Sequence, residues 1–360
     1  MLATRSASPS SASAPRAGRV KRWLKHIALF ACGLIVFLLI VGFSYQAIEQ
    51  YADARRFPQQ GKSFSLGPEF ANASLNLDCS GHGSPTVVLE SGLGAPAICW
   101  NFVHPEVAKF TRVCSYDRAG YGWSAAGPMP RTSAEIAKEL HALLAVAGEK
   151  PPYILVGHSF GGYNIRVYNG SYPGEVVGMV LVDAAHEDQW NRMPPAMVDY
   201  YKKQQESAKW WRLLAPAFID LGIARLAANA ALPSYLPRNF RLEMSYLLQQ
   251  TKFLAATSSE LAVLSTSADQ VRASGNLGNK PLIVLTAGKT PDAGSLPPGV
   301  PMQAFAAFVN IWRNDLQVRE AHLSTRGRQI IVPDSDHMIP FERPDTIISA
   351  IHEVWSASNR

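Results

Sequence analysis

The chain has 360 residues, of which 47% are apolar and 17% charged, a balance that excludes a disordered protein and one embedded wholly in a membrane. Six of its 34 basic residues precede the first acidic residue, and the other 28 match 28 Asp and Glu residues. The folded part is therefore formally neutral, which argues against a nucleic-acid partner. The four cysteines lack metal-site spacing, so no metal site is predicted.

The N-terminal segment predicts a membrane anchor. Residues 1–26 are rich in Ser, Ala, Pro and Arg, and they predict a disordered basic tail. The apolar stretch 27–45 would form about 28 Å of helix, enough to cross a lipid bilayer. Basic residues directly flank only its N-terminal side, which predicts a cytoplasmic N-terminus and places the residues after the helix on the extracytoplasmic side. A signal peptide cleaved near Ala52–Ala54 is the alternative.

After a polar linker at 46–66, short apolar strands alternate with helical stretches. This alternation predicts an α/β fold whose mostly parallel sheet has helices on both faces. The sheet domain is predicted in two parts, 67–183 and 280–360. The predicted strands are Ser74–Cys79, Thr86–Glu90, Thr111–Tyr116, Tyr153–Val156, Val176–Asp183, Lys280–Ala287 and Gln329–Val332, and the clearest predicted helices are Ala134–Ala147 and Asp345–Trp355.

Two predicted strands carry cysteines, Cys79 and Cys114. They are free buried thiols or, if the domain faces an oxidising compartment, partners in a disulfide.

Residues 184–279 contain no convincing strand. A structureless loop of this length is improbable in a compact domain, so the segment predicts a helical cap insertion. It is rich in aromatic residues, and an insertion at the carboxyl edge of the sheet would lie over any pocket there. Together with the neutral sheet domain, this predicts a small or medium-sized apolar substrate.

The sequence YILVGHSFGGY at Tyr153–Tyr163 reads as a strand, a sharp turn and a helix. Only glycine is comfortable two residues on either side of Ser159 in so tight a turn, so Gly157 and Gly161 fit a nucleophile elbow. A serine that merely caps the next helix is the alternative reading. The preceding strand and the following helix favour the elbow.

A serine nucleophile needs a histidine base, a carboxylate that orients the histidine, and donors for the oxyanion. His337 follows the last predicted strand, where a loop would return its ring to the elbow. The backbone N–H of Phe160 is one predicted donor. The N–H of Leu93, in the glycine-rich loop after Thr86–Glu90, is the other.

With these pieces, the chain resembles an α/β-hydrolase of the serine esterase, lipase and peptidase kind. The resemblance spans about Ser65 to Trp355. It is carried by LESGLG as the oxyanion loop, YDRAGYGWS at Tyr116–Ser124, GHSFGG as the elbow and DSDHMIPFERPD as the histidine loop. It implies a serine hydrolase that acts on ester or related acyl bonds without a cofactor. Ser91 departs from the family, which usually has histidine there.

The resemblance leaves the acid of the triad open. Asp183 ends the strand beside the elbow strand, where some lipases of the family keep their acid, and we expect it to be the acid. Asp292 is the alternative, since it lies near the commoner place but one residue late and beside a proline. Glu187 and Asp188 are further candidates.

Three other functions compete with this one. The segment Gly92–Ala97, with Asp117 about 20 residues later, imitates a dinucleotide-binding fingerprint, but that function leaves Ser159 and His337 unexplained. A binding protein on the same scaffold, without catalytic activity, would need neither Ser159 nor His337. Epoxide hydrolases and dehalogenases of this fold use an aspartate at the elbow, where this chain has serine.

Overall fold

The centre of the molecule is an eight-stranded sheet, seen in a computed structural model that describes residues 16–225, 232–292, 294 and 296–358. Its strands are β1 (Lys62–Ser65), β2 (Ser74–Ser80), β3 (Thr86–Glu90), β4 (Val113–Tyr116), β5 (Tyr153–His158), β6 (Val176–Val182), β7 (Leu282–Ala287) and β8 (Gly327–Val332). They lie in the order β1-β2-β4-β3-β5-β6-β7-β8. Only the pairs β1–β2 and β2–β4 are antiparallel. The predicted mostly parallel sheet is confirmed, and each predicted strand agrees to within two residues at either end.

Helices connect the strands and pack around the sheet. In the described part of the chain they are α1 (Arg16–Arg56), α2 (His104–Val107), α3 (Ser133–Ala147), α4 (Gly161–Ser171), α5 (Gln189–Arg192), α6 (Pro195–Asp220), α7 (Arg238–Leu248), α8 (Thr251–Ala262), α9 (Leu264–Ala273), α10 (Met302–Ile311), α11 (Gln317–Ala321), α12 (Ile339–Glu342) and α13 (Pro344–Ser358). Helices α5 to α9 fall within residues 184–279, where the sequence predicts a helical cap.

Both faces of the sheet are covered, which explains its continuous apolar strands. Alternate residues of β5 show this: Leu155 packs with α3 and α4 on one face, and Ile154 and Val156 pack with α2 and α13 on the other. All six residues of β5 are buried. The strand that leads into the elbow is therefore held rigidly from both sides.

Helix α1 is longer than the predicted membrane span of residues 27–45. It begins at Arg16, inside the predicted tail, and ends at Arg56, inside the predicted linker. Residues 46–56 contain neither glycine nor proline, so no helix breaker stops α1 before the proline at position 58. Strand β1 also lies inside the predicted linker. The linker is thus mostly regular structure.

The segment Val20–Arg56 is long and apolar enough to cross a membrane. Its C-terminal part packs against the inserted helices: a Cβ on Gly42 would come within 3.0 Å of the Leu221 carbonyl oxygen. Beyond the apolar span, Asp53 forms an ion pair with Arg225. The inserted helices are therefore attached to α1 as well as to the sheet.

The cysteines resolve into one bridge and two thiols. Cys79 on β2 and Cys114 on β4 are opposite partners of an antiparallel pair and form a disulfide. Cys32 and Cys99 are free. Of the two alternatives that the sequence leaves open, the structure has the disulfide.

Candidate active site

Ser159 sits on a sharp turn between β5 and α4. Its φ angle is 53°, in the left-handed region that non-glycine residues rarely adopt. A Cβ on Gly157 would lie 2.8 Å from the Gly161 backbone, and one on Gly161 would lie 2.5 Å from the Glu90 carbonyl oxygen. Glycine is therefore required two residues before and after the serine, and the turn has the nucleophile-elbow geometry that the motif predicts.

The three residues predicted as a triad lie in one hydrogen-bonded chain. The His337 Nε2 atom is 3.0 Å from Ser159 Oγ, and His337 Nδ1 is 2.6 Å from Asp183 Oδ2. They come from the carboxyl ends of three strands: Ser159 follows β5, Asp183 follows β6, and His337 lies in the loop after β8. These distances suit a proton relay from the hydroxyl to the imidazole.

Asp183 is held by three donors. Its Oδ1 atom accepts from the Ala287 backbone N–H at 3.0 Å and from the Trp312 indole N–H at 2.8 Å, while Oδ2 faces His337. Burial acts to raise the pKa of this carboxyl, but the hydrogen bond and the charge of His337 outweigh burial and lower the pKa. Asp183 is therefore ionised, and its position is fixed independently of the histidine.

His158, the residue before the serine, is turned away from the reacting groups. Its Nε2–H donates to the carbonyl oxygen of His337 at 2.9 Å, and the two rings lie 4.8 Å apart. Burial, with a smaller contribution from His337, lowers the pKa of His158 to about 3. His158 is therefore neutral, and it ties the histidine loop to the elbow.

The predicted oxyanion donors line the same cavity as the serine. Leu93 follows β3, and Phe160 precedes the first turn of α4. Among the described residues, neither backbone N–H donates a hydrogen bond to another group. Both residues border the cavity with Ser159 and His337. The two N–H groups are thus unengaged among the described residues, as an oxyanion hole requires of its donors.

The cavity has a volume of about 750 Å³. Apolar and aromatic side chains form most of its wall, and they come from α5 and α6 on one side and from α10 on the other. They include Trp190, Met193, Tyr201, Phe305, Phe308 and Trp312. The sequence points to the inserted helices as one wall but not to α10, which lies between two predicted strands.

Two of the other acid candidates pair with arginines. Glu187 forms an ion pair with Arg166 at 2.6 Å, and Asp188 pairs with Arg272 at 3.0 Å. Asp292, the main alternative, is not the residue that contacts His337 Nδ1. Among the described candidate acids, Asp183 is the one hydrogen-bonded to His337 Nδ1.

The loop that imitates a dinucleotide fingerprint has another structure. It leads into a single 3₁₀ turn, Ala97–Trp100, instead of a long helix. The Asp117 carboxylate accepts from the Ala97 N–H at 2.8 Å and from Asn76 at 2.9 Å. Asp117 is buried and serves as an internal anchor for the loop.

Sequence reasoning missed several residues around the site. Trp312, which donates to Asp183, lies in a segment without a predicted element. Arg118 and Glu260, which form a buried ion pair behind the loop of Leu93, are 142 residues apart. The DRAGYGWS motif was a signal for Arg118, but no local pattern points to its partner.

Comparison with known families gives one match that covers most of the chain. The family model described as Alpha/beta hydrolase family matches residues 87–350. The protein YqjL of Bacillus subtilis is 27% identical over 278 residues, which cover 77% of this chain and 86% of YqjL. A shorter match, 39% identical over 116 residues, covers 31% of this chain and only 17% of the protein named Probable transporter efuK of Hormonema carpetanum.

Solved structures agree in fold. A thermophilic esterase from Thermogutta terrifontis, with malate bound, has a TM-score of 0.56 at 18% identity over 84% of this chain and 100% of that chain. The epoxide hydrolase CorEH, without ligand, has a TM-score of 0.61 at 15% identity over 82% of this chain and 98% of that chain. Identities this low support the shared fold alone.

Proposed function

Because the chain belongs to the alpha/beta hydrolase family, as its sequence motifs predict, we propose that it is a serine hydrolase of carboxylic esters. The observation that carries the proposal is the chain of contacts from Ser159 Oγ through the ring of His337 to Asp183, at 3.0 and 2.6 Å. An aspartate nucleophile, the alternative for this fold, has no place at an elbow that carries serine. Asp292 is not needed in this mechanism.

In the proposed reaction, Ser159 Oγ attacks the acyl carbonyl while His337 Nε2 takes the hydroxyl proton. The hydrogen bond to Asp183 keeps the other proton on Nδ1, so Nε2 is free to act as the base. The imidazolium then gives its proton to the leaving alkoxide, which departs as an alcohol. Water attacks the acyl-enzyme by the same route and releases a carboxylic acid.

The negative charge that develops on the carbonyl oxygen needs donors that are already in place. The N–H groups of Leu93 and Phe160 fill this role in the proposal. One such donor is worth on the order of 3–4 kcal/mol in transition-state stabilisation. No cofactor or metal takes part in this reaction scheme.

The cavity supports an apolar acyl group of small to medium size. A volume of about 750 Å³ bordered mostly by apolar and aromatic side chains is large enough for a medium-length acyl chain and offers it few polar partners. A peptidase or amidase of the same fold would use the same three residues, so the leaving group has to be determined by experiment.

We further propose that α1 is a single-pass anchor, with a cytoplasmic N-terminus and the sheet domain on the extracytoplasmic side. Six basic residues precede the apolar span, whereas Arg55 and Arg56 follow it within α1, and this excess on the N-terminal side supports the orientation. The Cys79–Cys114 bridge is consistent with an oxidising compartment. Protease added to intact spheroplasts should digest the domain, and full protection would reverse the orientation.

The enzymatic proposal is tested with p-nitrophenyl esters of increasing acyl length, beside the matching p-nitroanilides. We expect turnover of the esters with an optimum above acetate. Ser159→Ala should reduce kcat by more than about 10³-fold, because the nucleophile is lost. Faster turnover of the anilides would favour an amidase. Full activity in purified Ser159→Ala would end the proposal.

A further inference from the structure

The loop of residues 91–94 is held from behind by a buried arginine. Arg118 donates through Nη1 to the carbonyl oxygen of Ser91 at 2.6 Å and through Nη2 to that of Gly92 at 2.9 Å. Leu93, the proposed oxyanion donor, is the next residue. The Gly92 carbonyl and the Leu93 N–H belong to the same planar peptide group. Because Arg118 holds that carbonyl, it also fixes the direction of the Leu93 N–H.

The other end of the loop is held by a tyrosine. The N–H of Gly94 donates to the Tyr121 hydroxyl at 3.1 Å, and this hydroxyl in turn donates to Glu260 Oε2 at 2.6 Å. Burial raises the pKa of Tyr121, so the phenol keeps its proton and remains a donor. Leu93 therefore lies between two fixed points.

Glu260 joins these two points. Its Oε1 atom accepts from Arg118 Nε at 2.8 Å, and its Oε2 atom accepts from Arg118 Nη2 at 3.0 Å as well as from the Tyr121 hydroxyl. Glu90 accepts from the remaining arm of the guanidinium at 2.9 Å. The side chains of Arg118, Glu260 and Glu90 are at most 1% exposed. Bidentate charged contacts without competing water give a stiff arrangement.

Glu260 belongs to the inserted helices, not to the sheet domain. It lies near the end of α8, and two other residues of this helix also face the region. A Cβ on Gly120 would come within 2.5 Å of Ala256, and one on Gly94 would lie 3.9 Å from Thr257. Leu261, the next residue, lines the cavity beside Leu93. The insertion thus reaches under the oxyanion loop as well as over the pocket.

We propose that Glu260 is a positioning residue for catalysis, which sets the direction of the Leu93 N–H through Arg118 and Tyr121. The inference rests on the proposed acyl transfer at Ser159. An oxyanion donor is effective only if it points to where the charge develops, and small displacements are costly in rate. The cap insertion therefore supplies part of the catalytic geometry in addition to the pocket wall.

Glu260→Gln is the main variant, because it keeps the shape of the side chain and removes its charge. Arg118 keeps Glu90 as a counterion, so the buried guanidinium is not left unpaired, and the fold should survive. The matched control is Glu139→Gln. Glu139 forms another buried ion pair, with Arg131, and its described hydrogen bonds go to Arg131 and not to residues 91–94.

The experiment compares two inhibitors that carry the same acyl chain. A trifluoromethyl ketone forms a tetrahedral adduct with an oxyanion, whereas the corresponding secondary alcohol occupies the pocket without one. Glu260→Gln should lower kcat by about 10- to 100-fold, with KM within about threefold. The Ki of the ketone should rise in parallel, and the Ki of the alcohol should stay within about twofold.

The outcomes separate the two proposals. The positioning role would be overturned if Glu260→Gln raised the Ki of both inhibitors equally, or if Glu139→Gln changed the ratio of the two Ki values by the same factor. The serine hydrolase proposal would stand in either case. A wild type that the ketone does not inhibit, with Ser159→Ala still active, would overturn both proposals. If Glu260→Gln does not fold, Tyr121→Phe decides: it removes only the hydroxyl and should shift the ratio in the same direction by a few fold.

Discussion

Replacing Asp183 by Asn should prevent His337 from acting as the base while the protein still folds. Oδ1 of Asp183 accepts two hydrogen bonds, from Ala287 and Trp312, whereas His337 is the described partner of Oδ2. The single carbonyl oxygen of Asn will keep the two donors, so its NH₂ group must face Nδ1. His337 then carries its proton on Nε2, which can no longer accept the proton of Ser159.

The wrong tautomer sets the size of the effect. The same substitution in a serine protease costs about 10⁴ in kcat, and we expect a loss of about 10³- to 10⁴-fold here because the geometry is the same. The assay is kcat for the best p-nitrophenyl ester, with the far-UV circular dichroism spectrum as the folding control. Asp292→Asn, the matched control, should stay within about tenfold. A folded Asp183→Asn enzyme with more than a tenth of wild-type kcat, or a comparable loss of kcat in Asp292→Asn, would show that Asp183 is not the orienting acid.

Three further predictions concern the pH profile, the disulfide and the N-terminal helix. Burial lowers the pKa of His337, but the hydrogen bond and charge of Asp183, aided by the charge of Asp336, raise it above its usual value of about 6.5; kcat/KM should therefore fall as the pH drops through a midpoint above 6.5, and Asp336→Asn should move that midpoint down. Reduction of the Cys79–Cys114 bridge, whose cysteines are 35 residues apart, should lower the free energy of unfolding by about 3–4 kcal/mol, measured by urea titration; an unchanged midpoint would contradict this. A chain without residues 1–56 should be soluble and active, yet trypsin should cleave its inserted helices faster than those of the full-length protein in detergent, because the ion pair between Asp53 and Arg225 is lost. Equal cleavage rates in the two proteins would contradict this expectation.

Local patterns predicted the parts of the fold that depend on local physics. Apolar runs between turn residues gave the strands, because a strand buried on both faces must be apolar throughout. The glycines around Ser159 indicated the elbow, since their spacing reflects a steric requirement. The position of His337 after the last strand followed from the rule that the carboxyl ends of parallel strands share one edge.

The remaining features depend on contacts between distant segments. In the sequence, nothing distinguishes Glu260 from other residues of helical segments, because its contact with Arg118 forms only when α8 packs against the sheet domain. Trp312 lies after a gap rich in glycine and proline, so its contact with Asp183 has no sequence signal. Helix α1 continues past the apolar span because residues 46–56 favour helix although they are polar. A change of composition predicted a linker there, but helix propensity and packing against the insertion decided the structure.

If Ser159 is a nucleophile activated by His337, as proposed, it will form a covalent adduct with a serine-reactive inhibitor. The full-length protein is treated with a fluorophosphonate that carries an alkyl chain, and the rate and site of labelling are measured by intact-mass and peptide mass spectrometry. We expect one adduct per chain, on the peptide that contains Ser159, with no labelling of Ser159→Ala and labelling of His337→Ala slowed by at least about 10²-fold. An adduct on another residue, or equal labelling of wild type and Ser159→Ala, would show that Ser159 is not the nucleophile.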